Sequence, residues 1–430
     1  MVGPYQRLLD GRMSAEKTGI AGAGEVGDAV EPPASPVVGW LLGRAPRPLW
    51  AVAAVLMGAV IFNVHRHSPT VGMDNDFVVK AARALLDGDA PYADKRFLYL
   101  PSAVLAAVPE ALLSAGKLRL LVPVAGVGAV VLGWLLALRI FRVPVRSRLA
   151  ALGVAALAFF EPFRNVVNIG NWTLASVVAL PLVLLLALRS RWVAAGAVLG
   201  LALALKPLLA PVLLLLVLAR RWRALAVAVA VPAVASVLAA LVMPHPGMFF
   251  TRTLPFLLHG QDSFARPFDA SLGMILTRLG VPETAAYGVA AVAAVAGTGC
   301  AWARWRRGDE GPSRLVETAA MLMLAAFLVS RPSFDHYLLV VLPPLVASVA
   351  LPGSAARAVW FWIALVPQVS GLVWPHLEAL HRRAFRDAVM LWTVAAVMAW
   401  TCIRPRVLRA VVTMPVGPES TDRTPVRDVF

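Results

Sequence analysis

Apolar residues run in long stretches from Pro48 to Ile403, each closed by a short polar break. The stretches fall near 48–64, 117–139, 148–161, 171–189, 192–205, 207–219, 223–243, 285–303, 315–330, 336–350, 357–374 and 386–403. A helix needs ~20 apolar residues to cross a bilayer, so the pattern predicts an all-α, polytopic integral membrane protein with about twelve transmembrane helices. None of the stretches alternates apolar and polar residues as the strands of a membrane barrel do. One further run, 101–114, is short and carries Pro109 and Glu110. It predicts an amphipathic helix lying at the membrane surface rather than a span. The flanks are polar or rich in Gly, Ala and Pro, and read as loose cytoplasmic tails, 1–45 and 414–430, around a membrane domain of 46–413.

Composition agrees with this pattern. Charged residues make up 15% of the 430 and hydrophobic residues 59%, whereas a soluble domain is about a quarter charged. The net charge of +16 would suggest nucleic acid in a soluble chain. Here the arginines bracket apolar runs, as positive-inside topology and anionic headgroups require, so the expected partners are membrane lipids and no nucleic acid. Arg139–Arg148, Arg189/Arg191, Arg220–Arg223, Arg304–Arg314, Arg357 and Arg404–Arg409 all fall on one side if the N-terminus is cytoplasmic and 101–114 does not cross. Lys117, Arg119 and Arg382–Arg386 then fall on the other side. Cys300 and Cys402 sit in separate spans and predict neither a disulfide nor a metal cluster.

The same scheme gathers the unusual polar breaks on the opposite face: 74–96, 161–172, Lys206, 244–281 and 331–336. Ionisable residues at membrane depth are costly and mark functional sites. Asp74 and Asp76 are candidates for a general base, or for caps of a helix over 77–86. Lys206, alone between two apolar runs, either binds an anion or snorkels to the interface. His336 opens an apolar run beside Arg331, a pairing that could stabilise charge on a leaving group.

The order of these motifs resembles one enzyme group. Asp74 is followed by Ala84-Leu85-Leu86-Asp87-Gly88, Pro91-Tyr92 and Phe97-Leu98-Tyr99-Leu100-Pro101. Gly170-Asn171-Trp172-Thr173, Lys206-Pro207, Asp269-Ala270-Ser271-Leu272 and Ser330-Arg331-Pro332-Ser333-Phe334-Asp335-His336-Tyr337 come after it. This is similar to the GT-C superfamily of lipid-linked glycosyltransferases, family 87. Its actinobacterial branch holds polyprenol-phosphate-mannose-dependent α-mannosyltransferases and arabinofuranosyltransferases. The chain departs from the family where Asn171 and Thr173 replace Gln and Asn, where Asp269-Ala270 replace Asn-Gln, and where Phe334 and Tyr337 replace Trp and His.

The resemblance implies a GT-C fold with amphipathic outer-face helices, in the plasma membrane, with its active site on the extracytoplasmic face. It implies inverting transfer of a sugar, expected to be mannose, from a polyprenyl-phosphate donor to a lipid-linked, glycan or protein acceptor. Asp74 is the implied base, with Asp76 as the alternative. Lys206, Arg331 and His336 would hold the donor phosphate, and Tyr99, Asn168, Asn171, Asp269, Ser271 and Asp335 would contact substrate. No metal site and no cofactor are required, although a divalent metal is compatible with the chemistry. A secondary transporter, or a ligase or scaffold for lipid-linked glycans, is the alternative. A transporter would show repeated halves, and no internal repeat occurs here.

Overall fold

The structure is a computed structural model that describes residues 35–68, 70–258, 266–307, 311–372 and 379–404. The tail expectations for 1–34 and 414–430, and Arg406 and Arg409, lie outside these residues. The chain divides into two compact units, 1–41 and 42–430. In the first, residues 36–41 are helical.

Among the described residues, twelve α-helices of nine residues or more organise the second unit. They are α1 Arg47–His67, α2 Met73–Leu86, α3 Pro101–Ala111, α4 Ala115–Ile140, α5 Arg148–Leu157 and α6 Glu161–Ile169, followed by α7 Thr173–Leu188, α8 Trp192–Leu205, α9 Trp222–Val242, α10 Glu283–Arg306, α11 Pro312–Val329 and α12 Ala379–Ile403. Six of them, α1, α4, α9, α10, α11 and α12, are long and apolar enough to cross a membrane by length and composition. The fold is therefore all-α and polytopic, but the apolar runs do not each become one full-length helix. Proline explains three of the exceptions, since it removes a backbone donor and clashes with the preceding turn. Run 207–219 folds as a 3₁₀ segment Pro207–Val212 and a helix Leu213–Leu218. Run 336–350 becomes 3₁₀ Asp335–Val340, a short helix opened by Pro343 and Pro344, and a further 3₁₀ turn. Run 357–374 gives helix Val359–Leu365 and a 3₁₀ turn containing Pro367.

Close helix approach rests on small residues, as expected where lipid supplies little hydrophobic drive between helices. A Cβ on Gly196 of α8 would sit 2.3 Å from the carbonyl oxygen of Ala224 in α9, and one on Gly133 of α4 would sit 2.6 Å from that of Val177 in α7. The surface-helix candidate is α3, ending at Ala111. It packs on α2 and α9 through Val78, Ala82, Ala103, Val104, Ala107 and Ala239.

The N-terminus of α2 docks on the end of α6 through two glycines. Gly72 caps α2 at φ +92°, and Gly170 caps α6 at φ +63°. A Cβ at Gly72 would lie 2.7 Å from the Ile169 carbonyl oxygen, and one at Gly170 would lie 2.9 Å from the Cβ of Asn75. Both the left-handed backbone and the close approach exclude a side chain. Helix α2 starts four residues earlier than the expected Phe77, so Asp74 and Asp76 lie in its first turn.

Gly170→Ala should destabilise the protein by about 1–3 kcal/mol, combining left-handed strain with a backbone displacement. Gly88 also has positive φ, at +79°, but nothing lies within 4 Å of its would-be Cβ. Gly88→Ala should therefore cost only the strain. Thermal unfolding of both variants in detergent measures the difference, and equal losses would refute the docking argument.

Candidate active site

Asp74 is half-buried and does not serve as a helix cap; its Oδ2 accepts a hydrogen bond from Asn171 Nδ2. Asp76 points elsewhere, pairing with Lys80 one turn on at 2.6 Å. Asn171 is held on all sides. Its Oδ1 accepts from the backbone N–H of Thr173 at 2.8 Å, an Asx-type arrangement that opens α7, and from Lys206 Nζ at 2.7 Å. The amide thus stands between a carboxylate and an ammonium.

Lys206 is presented by a local chain break. Proline at 207 disfavours helical geometry in the preceding residue, and Lys206 is extended, at φ −153° and ψ 123°, directly after α8. The ammonium also donates to Thr173 Oγ1 at 2.9 Å. It lies 5.0 Å from the Tyr337 ring centroid and 5.9 Å from that of Tyr99. Its hydrogen-bond partners among the described residues are neutral oxygens.

A polar and aromatic layer fixes these groups. Trp172 Nε1 donates to Asn75 Oδ1 at 2.9 Å, and Asn75 Nδ2 donates to Glu110 Oε2 at 2.8 Å. Tyr99 meets Trp172 edge-on, and its carbonyl accepts from the hydroxyl of buried Tyr92 at 3.0 Å. Burial, with the charge of Asp74 adding to it, pushes the Tyr99 phenol well above its ordinary value, so it stays a neutral donor.

The 331–337 segment reaches this cluster through Tyr337, whose ring lies beside Lys206. His336 Nδ1 lies 3.2 Å from Asp335 Oδ1, which also accepts from Asn165 Nδ2 at 2.9 Å. Burial alone would push the Asp335 carboxyl up. Hydrogen bonding and charge from His336, with the charge of Arg383, outweigh this and hold it below the usual carboxylate range. The imidazole stacks on Phe334 and meets Tyr337 edge-on at 5.0 Å. Its buried Nε2 has no hydrogen-bond partner among the described residues.

The remaining predicted residues separate from this cluster. Arg331 pairs with Glu283 at 3.2 Å and lies 3.6 Å over the Tyr287 ring. Asp269 Oδ1 accepts from the backbone N–H groups of Ser271 and Ser333, which clamps the start of helix Leu272–Arg278 to the 331–337 loop. Burial pushes the Asp269 carboxyl up, and those two N–H groups oppose it. Asn168 is exposed and lines a cavity beside α1. Sequence reasoning missed Glu110, Arg383, Asp387 and Gln368. Asp387, buried in α12, accepts from Gln368 at 2.8 Å and neighbours Arg386. A buried carboxylate within an apolar run was the available signal. Among the described residues no group of three His, Cys, Asp or Glu side chains is placed to hold a metal ion.

The sequence profile of glycosyltransferase family 87 matches residues 97–330, just over half of the chain. The chain belongs to glycosyltransferase family 87. Within the matched part lie Tyr99, Asn171, Thr173 and Lys206, while Asp74 and His336 flank it. An alpha-(1->3)-arabinofuranosyltransferase of Mycobacterium tuberculosis (strain ATCC 25618 / H37Rv) is 30% identical over 277 residues, covering 63% of each chain. One of Mycolicibacterium smegmatis (strain ATCC 700084 / mc(2)155) is 29% identical over 279 residues, covering 64% of each. The similarity thus spans less than two thirds of the length of these relatives. No solved structure matches this family 87 chain.

Asn171→Ala should release Asp74 and Lys206 together while leaving the fold intact. Loss of placement at a reacting centre costs on the order of 10²-fold in rate. Thr173→Val, which removes one of two bonds to the ammonium, should cost less. Sugar-transfer rates of the purified variants, with thermal melts as a folding control, check the order. A Thr173→Val loss exceeding that of Asn171→Ala would contradict it.

Proposed function

We propose that this family 87 protein is an inverting membrane glycosyltransferase that moves an arabinofuranosyl unit from a polyprenyl-phosphate donor to a glycan or lipid-linked acceptor. The observation that carries the reading is the Asp74–Asn171–Lys206 arrangement, which sets a base and a cation on either side of one amide. The hydrogen bond from Asn171 uses only Oδ2 of Asp74, which leaves Oδ1 to take the acceptor hydroxyl proton as the oxygen attacks the sugar carbon. Lys206, bonded only to neutral oxygens, keeps its charge for the donor phosphate. His336, backed by Asp335, has Nε2 free to stabilise charge on the departing phosphate. Tyr99 and Tyr337 provide ring faces for the sugar. Arg331 has no part in this reading, because Glu283 and Tyr287 occupy it. The relatives, named as alpha-(1->3)-arabinofuranosyltransferases, favour arabinofuranose over the mannose expected from the motifs.

Purified protein offered polyprenyl-phosphate arabinofuranose and polyprenyl-phosphate mannose in parallel tests the donor. Transfer from the first is expected, and exclusive use of the second would reverse the sugar assignment. Asp74→Asn keeps shape but cannot accept a proton, so it should lower turnover by about 10²–10⁴-fold. Asp76→Asn should stay near wild type. The opposite pattern would move the base two residues along.

The arginine distribution supports an extracytoplasmic site. In a background lacking Cys300 and Cys402, a cysteine at Lys95 should react with an impermeant maleimide added to intact cells. A cysteine at Arg306 should not. Labelling of Arg306→Cys alone would invert the topology.

A further inference from the structure

A cavity of about 490 Å³ opens between α1, α6 and the start of α12, and neither Asp74 nor Lys206 lines it. One wall is apolar, formed by Leu56, Ala59, Val60 and Val64 of α1 with Phe159. The other is polar and basic, formed by Asn63, Arg164, Asn165, Asn168 and Arg383. Glu161 also lines it, but its carboxylate already accepts from the Ser370 hydroxyl at 2.9 Å. Two guanidinium groups and one carboxylate thus line the cavity, with Asp335 and Asp387 next to Arg383.

Arg383 is the decisive member. It lies at ion-pair distance from Asp335, 3.7 Å, and Asp387, 4.0 Å, and 5.1 Å over the Phe268 ring, but its buried Nε has no hydrogen-bond partner among the described residues. Its guanidinium is thus held by charge but leaves Nε at the cavity edge without a hydrogen bond. Helix α1 meanwhile buries only Ala53, Met57 and Val64 inside the protein, so most of its apolar surface is available to a hydrocarbon chain.

We propose that this cavity holds an anionic membrane phospholipid, its phosphate facing Arg164 and Arg383 and its first chain carbons lying along α1. An apolar wall beside paired guanidinium groups is the chemistry that recognises such a lipid, because arginine binds phosphate oxygens in a fork. The site is separate from Lys206 and does not rest on the sugar-transfer reading. It does adjoin the catalytic candidates. Asn165 lines the cavity and donates to Asp335, which holds His336. A phosphate that draws Arg383 into the cavity loosens its hold on Asp335, so occupancy is felt at His336.

Native mass spectrometry of the full chain in mild detergent tests this, with phosphatidylglycerol as the probe and phosphatidylcholine of the same chains as the comparison. Wild type and Lys206→Ala should each retain one phosphatidylglycerol in preference to phosphatidylcholine. Val60→Trp, which fills the apolar wall, and Arg164→Gln should each weaken retention about tenfold or more. Ala59→Trp, at an exposed position of the same wall, replaces Val60→Trp if that variant fails to fold. Undiminished retention in both the tryptophan and Arg164 variants would overturn the proposal. So would equal retention of phosphatidylcholine, or displacement of the lipid by inorganic phosphate alone, which would mark a site for the free anion.

Discussion

The organisation of this protein depends on an amide held between two opposite charges. A lysine in direct contact with a carboxylate in a poorly solvated site would neutralise it and lower its proton affinity. Asn171 prevents that contact by occupying both partners at once, its N–H₂ turned to Asp74 and its oxygen to Lys206. The charges stay within electrostatic reach without forming a closed pair, and each keeps capacity for a substrate group. Breaking a paired buried charge is strongly destabilising. Here no direct pair has to be broken for a ligand to enter.

That geometry is set by parts distant in sequence. Lys206 arrives on a helix end that proline prevents from continuing. Asn171 arrives just past a left-handed glycine, and Asp74 just past another. The two glycines meet, so the backbone itself brings the carboxylate to the amide. The aromatic layer of Tyr92, Phe97 and Tyr99 then supports the arrangement from the α2–α3 side.

Much of this was legible in the sequence, and for physical reasons. Apolar run length exposes a membrane helix, and six runs became one directly. The runs around Pro207, Pro343 and Pro367 misled, because hydropathy is blind to the loss of a backbone donor. The polar residues of the site stood out because charge among apolar runs is costly. Their pairing did not. Nothing local distinguishes Asp74, bonded to Asn171, from Asp76, bonded to Lys80, and the two differ only in which side of α2 they occupy. Arg331 appeared a phosphate ligand from its neighbours in sequence, yet Glu283 and Tyr287, from the start of α10, engage it. The pairings of Glu110 and Asp387 were not legible, because their partners, Asn75 and Gln368, are matched only once helices pack.

The shortness of α8 links the site to the bilayer. Its fourteen residues rise only ~21 Å from the arginines that precede them, against a hydrocarbon core of ~30 Å. On the topology proposed above, with those arginines at one membrane face, the ammonium at its end would lie short of the other face, where the membrane would thin locally or admit water. Membrane thickness thus becomes a variable in the hydration of Lys206: a thicker, sterol-rich or longer-chain bilayer dries the cation, and a thinner one wets it.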